Sequence, residues 1–226
     1  MNKTLLLAGA AVFCATAANA AELTPYAAAR LSYMQFNNEV NQWVDDRGDR
    51  SVIADRTLKD ETWSGKLALG ARFNSNLRAE LEYTYMDDTH NSGSYGHNIS
   101  GFSIPTNYDI ESKIQAVMIN AYYDFKTNTR FTPYVSAGIG YARIKETASV
   151  ANQYAAETAS DSENNLAWSL GFGTSYQVSD NIEAELGYRY TDYGDKKGSE
   201  VRGYYQSAAS RDYAAHEIIL GVRYAF

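Results

Sequence analysis

The chain has 226 residues, 45% hydrophobic and 13% aromatic, with 19 tyrosines, 16 glycines, one cysteine and a formal net charge of -7. That acidic balance argues against a nucleic-acid surface, and a single cysteine excludes a disulfide framework. Mean hydropathy is -0.43, so the apolar residues are interspersed with polar ones, as in a membrane barrel, rather than gathered into spanning helices.

The first twenty residues read as an export signal. Met1–Asn2–Lys3 gives a positive start, and Thr4 to Ala18 is a short apolar run led by Leu5, Leu6 and Leu7. Ala18–Asn19–Ala20 then supplies the small residues that a signal peptidase requires. The run is too short to span a bilayer comfortably, and no stop-transfer charges follow it. Residues 1–20 are therefore expected to be removed, leaving a single domain over 21–226. Cys14 raises a lipoprotein reading, but Phe13 before it is too bulky for a lipid-attachment box. Cys14 then leaves with the signal, and an exported domain without disulfides needs another source of stability. A closed barrel in a bilayer is one.

From Pro25 onward the period is two rather than 3.6. In Leu77–Arg78–Ala79–Glu80–Leu81–Glu82–Tyr83–Thr84–Tyr85 one face is apolar and the other charged. The pattern predicts eight strands, at about Pro25–Met34, Trp63–Phe73, Leu77–Met86, Lys113–Phe125, Thr132–Ile144, Leu166–Tyr176, Ile182–Asp192 and His216–Phe226. Most are near the ~9–11 residues that a tilted strand needs to cross a bilayer. The links alternate. Asn74–Asn76, Lys126–Phe131 and Gln177–Asn181 are short, whereas 35–62, 87–112, 145–165 and 193–215 are long. Short periplasmic turns and long outer loops give this asymmetry. The expected fold is all-β: a monomeric, antiparallel, eight-stranded up-and-down transmembrane barrel.

The first and fifth segments resemble one another, as do the third and seventh (Leu77–Leu81 against Ile182–Leu186), which fits two four-strand halves of one barrel. Parity assigns a lipid face that includes Ala29, Leu31, Leu67, Leu69, Leu81, Val135, Ala137, Ile139, Leu170, Leu186, Leu220 and Val222. Aromatics such as Trp63, Phe73, Tyr85, Tyr123, Phe125, Tyr190 and Phe226 gather near strand ends, where girdles sit. The fourth segment is ambiguous. Val117, Ile119 and Ala121 face outward if Asn120 points in, but a one-residue slip swaps the faces.

The inner face collects Arg30, Lys66, Arg72, Arg78, Glu80, Glu82, Glu183, Glu185, Arg189 and Arg223, with glycines such as Gly70, Gly138, Gly173 and Gly187 between them. Mid-strand charges are tolerable only away from lipid and should be paired. An eight-stranded barrel is just wide enough for its side chains to fill. The expectation is a polar plug of acid–base pairs; an ion path through the same residues is the alternative.

The chain ends Ile218–Ile219–Leu220–Gly221–Val222–Arg223–Tyr224–Ala225–Phe226. Phe226, with Tyr224 and Gly221 before it, resembles the C-terminal signal read by the barrel assembly machinery. Tyr122–Lys126 followed by Thr132–Tyr141 resembles the central hairpin of the opacity-protein family, and nearly the whole mature chain is similar to that family and to the transmembrane domain of OmpA. The resemblance, to porin-family outer-membrane proteins broadly, implies a surface antigen of a Gram-negative cell. Its location would be the outer membrane, reached through the periplasm, and its role structural or adhesive through four outer loops. The implied partners are outer-membrane lipid and lipopolysaccharide, the assembly machinery, and a host or cell-surface ligand.

The remaining candidates are weaker. An outer-rim hydrolase would need a base and a nucleophile in reach. His216 with Ser207 or Ser210 has no supporting spacing, and Asp87, Asp88, His90 and His97 lack a compact metal-ligand spacing. A non-enzymatic protein without cofactor or metal is expected. In the first loop, Arg47, Arg50 and Arg56 could contact lipopolysaccharide phosphates, and Tyr193, Tyr204, Tyr205 and Tyr213 in the fourth suit adaptable contacts.

Overall fold

The computed structural model describes residues 23–40, 56–86, 89–99, 102–152, 156–197, 200–201, 205–206 and 210–226. The export signal, Arg47, Arg50, Asp87, Asp88, Tyr204 and Ser207 lie outside the described residues. The strands are β1 (Thr24–Val40), β2 (Arg56–Arg72), β3 (Leu77–Met86), β4 (Thr89–Ile99), β5 (Phe102–Asp124), β6 (Phe131–Asn152), β7 (Ala156–Gln177), β8 (Ile182–Lys197), β9 (Glu200–Val201), β10 (Tyr205–Gln206) and β11 (Ser210–Ala225).

The sheet runs β3-β2-β1-β11-β8-β7-β6-β5-β4, and β3 also pairs with β5. That last pairing closes an eight-stranded antiparallel barrel of β1, β2, β3, β5, β6, β7, β8 and β11. Beyond the end of β3, β4 takes over its place beside β5, from Thr89↔Ser112 outward. The β9–β10 pair is a separate two-stranded sheet.

Tight turns close one end. Asn74 Oδ1 accepts from the amides of Asn76 and Leu77, each at 2.8 Å, while Val178 N–H bonds the Ile182 carbonyl at 2.9 Å. At the other end the strands run far beyond the expected segments. β5 has 23 residues and β6 and β7 have 22 each; of the eight barrel strands, as far as described, only β3, with 10, has bilayer length. The β1–β2 ladder continues to Val40↔Arg56. Much of 35–62, 87–112, 145–165 and 193–215 is therefore strand rather than loop.

The reason lies in the side-chain pattern. Alternation continues past the aromatic belt with its polarity inverted. On β6, Ile139 and Tyr141 face out below the belt's edge, and Arg143 and Lys145 face out above it, while Ala142 and Ile144 are buried. Apolar residues face outward only as far as the lipid reaches.

The fourth predicted segment is settled by burial. Val117, Ile119 and Ala121 face out and Asn120 is buried. Where β8 meets β11, the register shifts between Asp212 and Ala214. Tyr193 and Gly194 there stand opposite Tyr213 alone, a bulge that Gly194 permits with its φ of +80°.

Candidate functional site

The barrel interior has two tiers. In the membrane-level tier, Arg30 of β1 is the centre. Its Nε donates to Glu185 at 2.8 Å, Nη1 to Glu82 at 3.0 Å and Nη2 to Glu80 at 2.7 Å. Glu80 comes from β3 and Glu185 from β8, which stand on opposite walls and occupy equivalent places in the two similar segments. Arg78 bonds Asp124 and Glu80, each at 3.0 Å, and its guanidinium stacks 3.8 Å from the Tyr122 ring centroid. Arg189 bonds Glu82, and the Tyr122 hydroxyl at 3.0 Å. Arg223 bonds Glu183 at 2.8 Å and Glu185 at 3.1 Å. The Arg72–Glu183 pair, 3.0 Å apart, lies half-buried at the periplasmic mouth.

Towards the belt, Lys66 pairs with Glu217, which also accepts from Thr191 at 2.7 Å and Tyr193 at 3.1 Å. Six cations thus meet six carboxylates, Asp124 and Glu217 being the two not singled out from sequence. Parity from Asn120 for Asp124, and from Arg223 for Glu217, was the available signal. Arg78 Nη2 and Arg223 Nε and Nη1 have no hydrogen-bond partner. Arg78 instead faces the rings of Tyr122 and Tyr134, and Arg223 faces that of Tyr26, an attraction between cation and ring face.

Glycines make room for these phenols. A Cβ on Gly187 would stand 2.5 Å from the Tyr134 hydroxyl, and one on Gly70 2.6 Å from the Tyr26 ring. Gly221 is crowded by the Arg30 side chain in the same way.

The outer tier, much of it expected as long loops, continues the barrel with a different filling. Met34, Phe36, Met86, Ile114, Met118, Ile144, Tyr193 and Tyr213 form an apolar core there, with Phe36 against Tyr193 and Tyr213 at 6.5 and 6.3 Å between ring centroids. Outside this tier is water, so the apolar residues turn inward as in a soluble barrel. An open path would leave lumen side chains wet. Glu80, Glu82, Ser32, Glu217, Met34 and Ile144 are all 0% exposed.

The other candidates are not assembled. Successive residues face opposite ways, so Glu217 is buried inside while His216 lies outside, its Nδ1 2.6 Å from the Tyr188 hydroxyl. Ser210 stands six residues further along β11, about 20 Å away at ~3.3 Å per residue. His90 and His97 fall on β4, opposite Glu111 and Ile104. Among the described residues, no three potential metal ligands converge. At the periplasmic end Tyr224 and Phe226 face outward, 48% and 69% exposed, with their rings 5.5 Å apart.

The family model described as "Outer membrane protein beta-barrel domain" matches residues 5–226. The chain belongs to this outer-membrane β-barrel family. Its location is the outer membrane. Among its relatives is outer membrane protein PagN of Salmonella typhimurium, 33% identical over 199 residues, covering 79% of this chain and 80% of PagN. A Rickettsia bellii protein provisionally named an adhesin is 30% identical over 179 residues, 74% of this chain and 77% of that one. The fold is shared with Neisserial surface protein A, at a TM-score of 0.51 and 19% identity over 91% of this chain and 100% of that one. Outer-membrane protease OmpT of Escherichia coli is also similar in fold, at a TM-score of 0.54 and 12% identity over 92% of this chain and 99% of that one. A shared barrel fold does not by itself fix a function.

Proposed function

We propose that this barrel is a sealed, non-catalytic adhesin, which presents its outer strands and connecting segments to a ligand on another cell. The carrying observation is the filled interior: with the lumen dry in both tiers, the outer surface is what remains to meet a partner. The relatives named as adhesins point the same way. Loops on a rigid scaffold are where binding residues concentrate. The test is attachment of otherwise non-adherent bacteria displaying the full chain to cultured cells. Attachment should rise with the chain and fall when residues 41–55 and 202–204 are replaced by glycine–serine linkers. Unchanged attachment in folded, displayed protein would overturn the proposal.

The small-porin alternative is tested in a planar bilayer. The refolded barrel should give no stable conductance steps, and reproducible open steps would establish a path through the charged tier. The assembly machinery is proposed to read Gly221, Tyr224 and Phe226. Deleting Phe226 should deplete folded barrel from the outer membrane, while refolding in detergent stays near normal because Phe226 is exposed. Equal loss in both settings would instead make Phe226 a stability residue. We further propose that residues 1–20 are cleaved; an N-terminus at Ala21 in the mature protein would establish this.

A further inference from the structure

The outward face just above the lipid-facing band is not uniform around the barrel. On β5, β6 and β7 the last apolar row is Val117↔Tyr141↔Leu166, with Tyr141 70% exposed. The next outward row is Gln115↔Arg143↔Asn164, and the row above it Lys113↔Lys145↔Ser162. Arg143 and Lys145 are exposed and Lys113 half-buried. Elsewhere around the rim, the first outward polar positions carry Gln35 on β1, Glu61 on β2 and Asp192 on β8. Three cations are thus gathered on two adjacent strands of an acidic protein.

Two features identify what they meet. Lys113 and Lys145 are direct cross-strand partners, and like charges placed opposite one another are destabilising. Glu111 lies two residues further out on β5, and Asp161 and Glu163 flank Ser162 at the opposite parity on β7, so on the outward face of these rows, among the described residues, three cations stand against one carboxylate. An anion held between them would relieve the repulsion. The second feature is height. Two residues along a strand rise about 6.6 Å, or about 5 Å after the ~40° tilt of a membrane barrel. Arg143 therefore stands about 5 Å above the last apolar row, within a headgroup layer about 5–7.5 Å thick, and the lysines about 10 Å above it, at the outer edge of that layer. The guanidinium is held sideways along the sheet by a 3.1 Å bond from Nη2 to Ser162 Oγ, which leaves its other N–H donors for a ligand.

We propose that Arg143, Lys145 and Lys113 form a binding site for the phosphates of outer-leaflet lipopolysaccharide. Acyl chains lie against Val117, Tyr141 and Leu166, and the phosphates sit between the guanidinium and the two ammonium groups. Arginine offers a fork that matches phosphate oxygens, while each lysine acts as a point charge. The site is separate from any ligand of the outer segments and does not depend on the adhesive reading.

The test is native mass spectrometry of the refolded full-length barrel titrated with diphosphorylated lipid A, and with the same lipid A after dephosphorylation. The parent should retain the phosphorylated form and release the other. Arg143→Gln/Lys145→Gln should weaken retention about 25-fold, taking ~5-fold for each basic residue near an anionic surface. Lys126→Gln/Arg130→Gln removes the same charge from exposed positions in a periplasmic turn and should leave retention unchanged. Arg143→Lys/Lys145→Arg should bind nearly as the parent does, which separates lost charge from lost fold. Equal retention by the rim and periplasmic double variants, or equal retention of both lipids by the parent, would overturn the site.

Discussion

The two tiers of this barrel use the same strands and opposite logic. Below the aromatic belt, Leu67, Ile139 and Leu220 face lipid, and Arg30, Glu80 and Glu185 fill the lumen. Above it, Arg143 and Lys145 face water, and Met34, Phe36 and Ile144 fill the lumen. A strand has only two faces, so the solvent outside decides what the inside must be. The barrel therefore holds two kinds of core. The lower one depends on pairing, because an unpaired charge in a dry lumen is severely penalised. The upper one depends on volume, because an apolar core is penalised for cavities.

The largest effect is expected at the charged centre of the lower tier. Arg30→Met removes the cation shared by Glu80, Glu82 and Glu185 while keeping much of the volume, and should cost about 3–5 kcal/mol, the penalty for stranding buried charge. Urea unfolding in lipid vesicles measures it. A cost under about 1 kcal/mol would mean that the carboxylates find other partners. Next comes one substitution placed at two heights. Leu67→Arg, at mid-membrane on the lipid face, should cost about 2–4 kcal/mol. Asn164→Arg, outward on the upper tier, should stay within about 0.5 kcal/mol, and equal costs would contradict the boundary drawn at Tyr141 and Leu166. The smallest effect sharpens the upper core. Ile144→Val should cost about 0.5–1.5 kcal/mol, read as faster proteolysis of the outer strands with unchanged heat-modifiable gel mobility. Loss of that mobility shift would show that the tiers unfold as one.

The lower tier was open to sequence reading because its pattern is strict. Leu77 to Tyr85 alternates without a fault, and parity places Arg78, Glu80 and Glu82 on one face. Partner choice was not readable. Arg30 meets Glu185 across 155 positions in sequence, and their meeting depends on register and stagger around the whole barrel. Glu217 stood in view beside His216, yet its pairing with Lys66 needed the closure of β1 on β11. The rest of the upper tier reads as loop because segments such as Lys145 to Thr147 are too polar to face lipid. The tell-tale feature was continued alternation after the belt, with Met34, Phe36, Ile114 and Ile144 at the inward parity.

The lengths of β5, β6 and β7 have a mechanical consequence. At ~3.3 Å per residue each runs about 70 Å, with the membrane-level half and the outer half joined in one unbroken ladder on this wall. A pull on the outer end, as when a cell is dragged across a surface, would be directed along these strands. It loads their hydrogen bonds in shear, many at once, whereas a pull on a floppy tether would peel bonds apart one after another. A wall of this height would pass tension straight into the membrane.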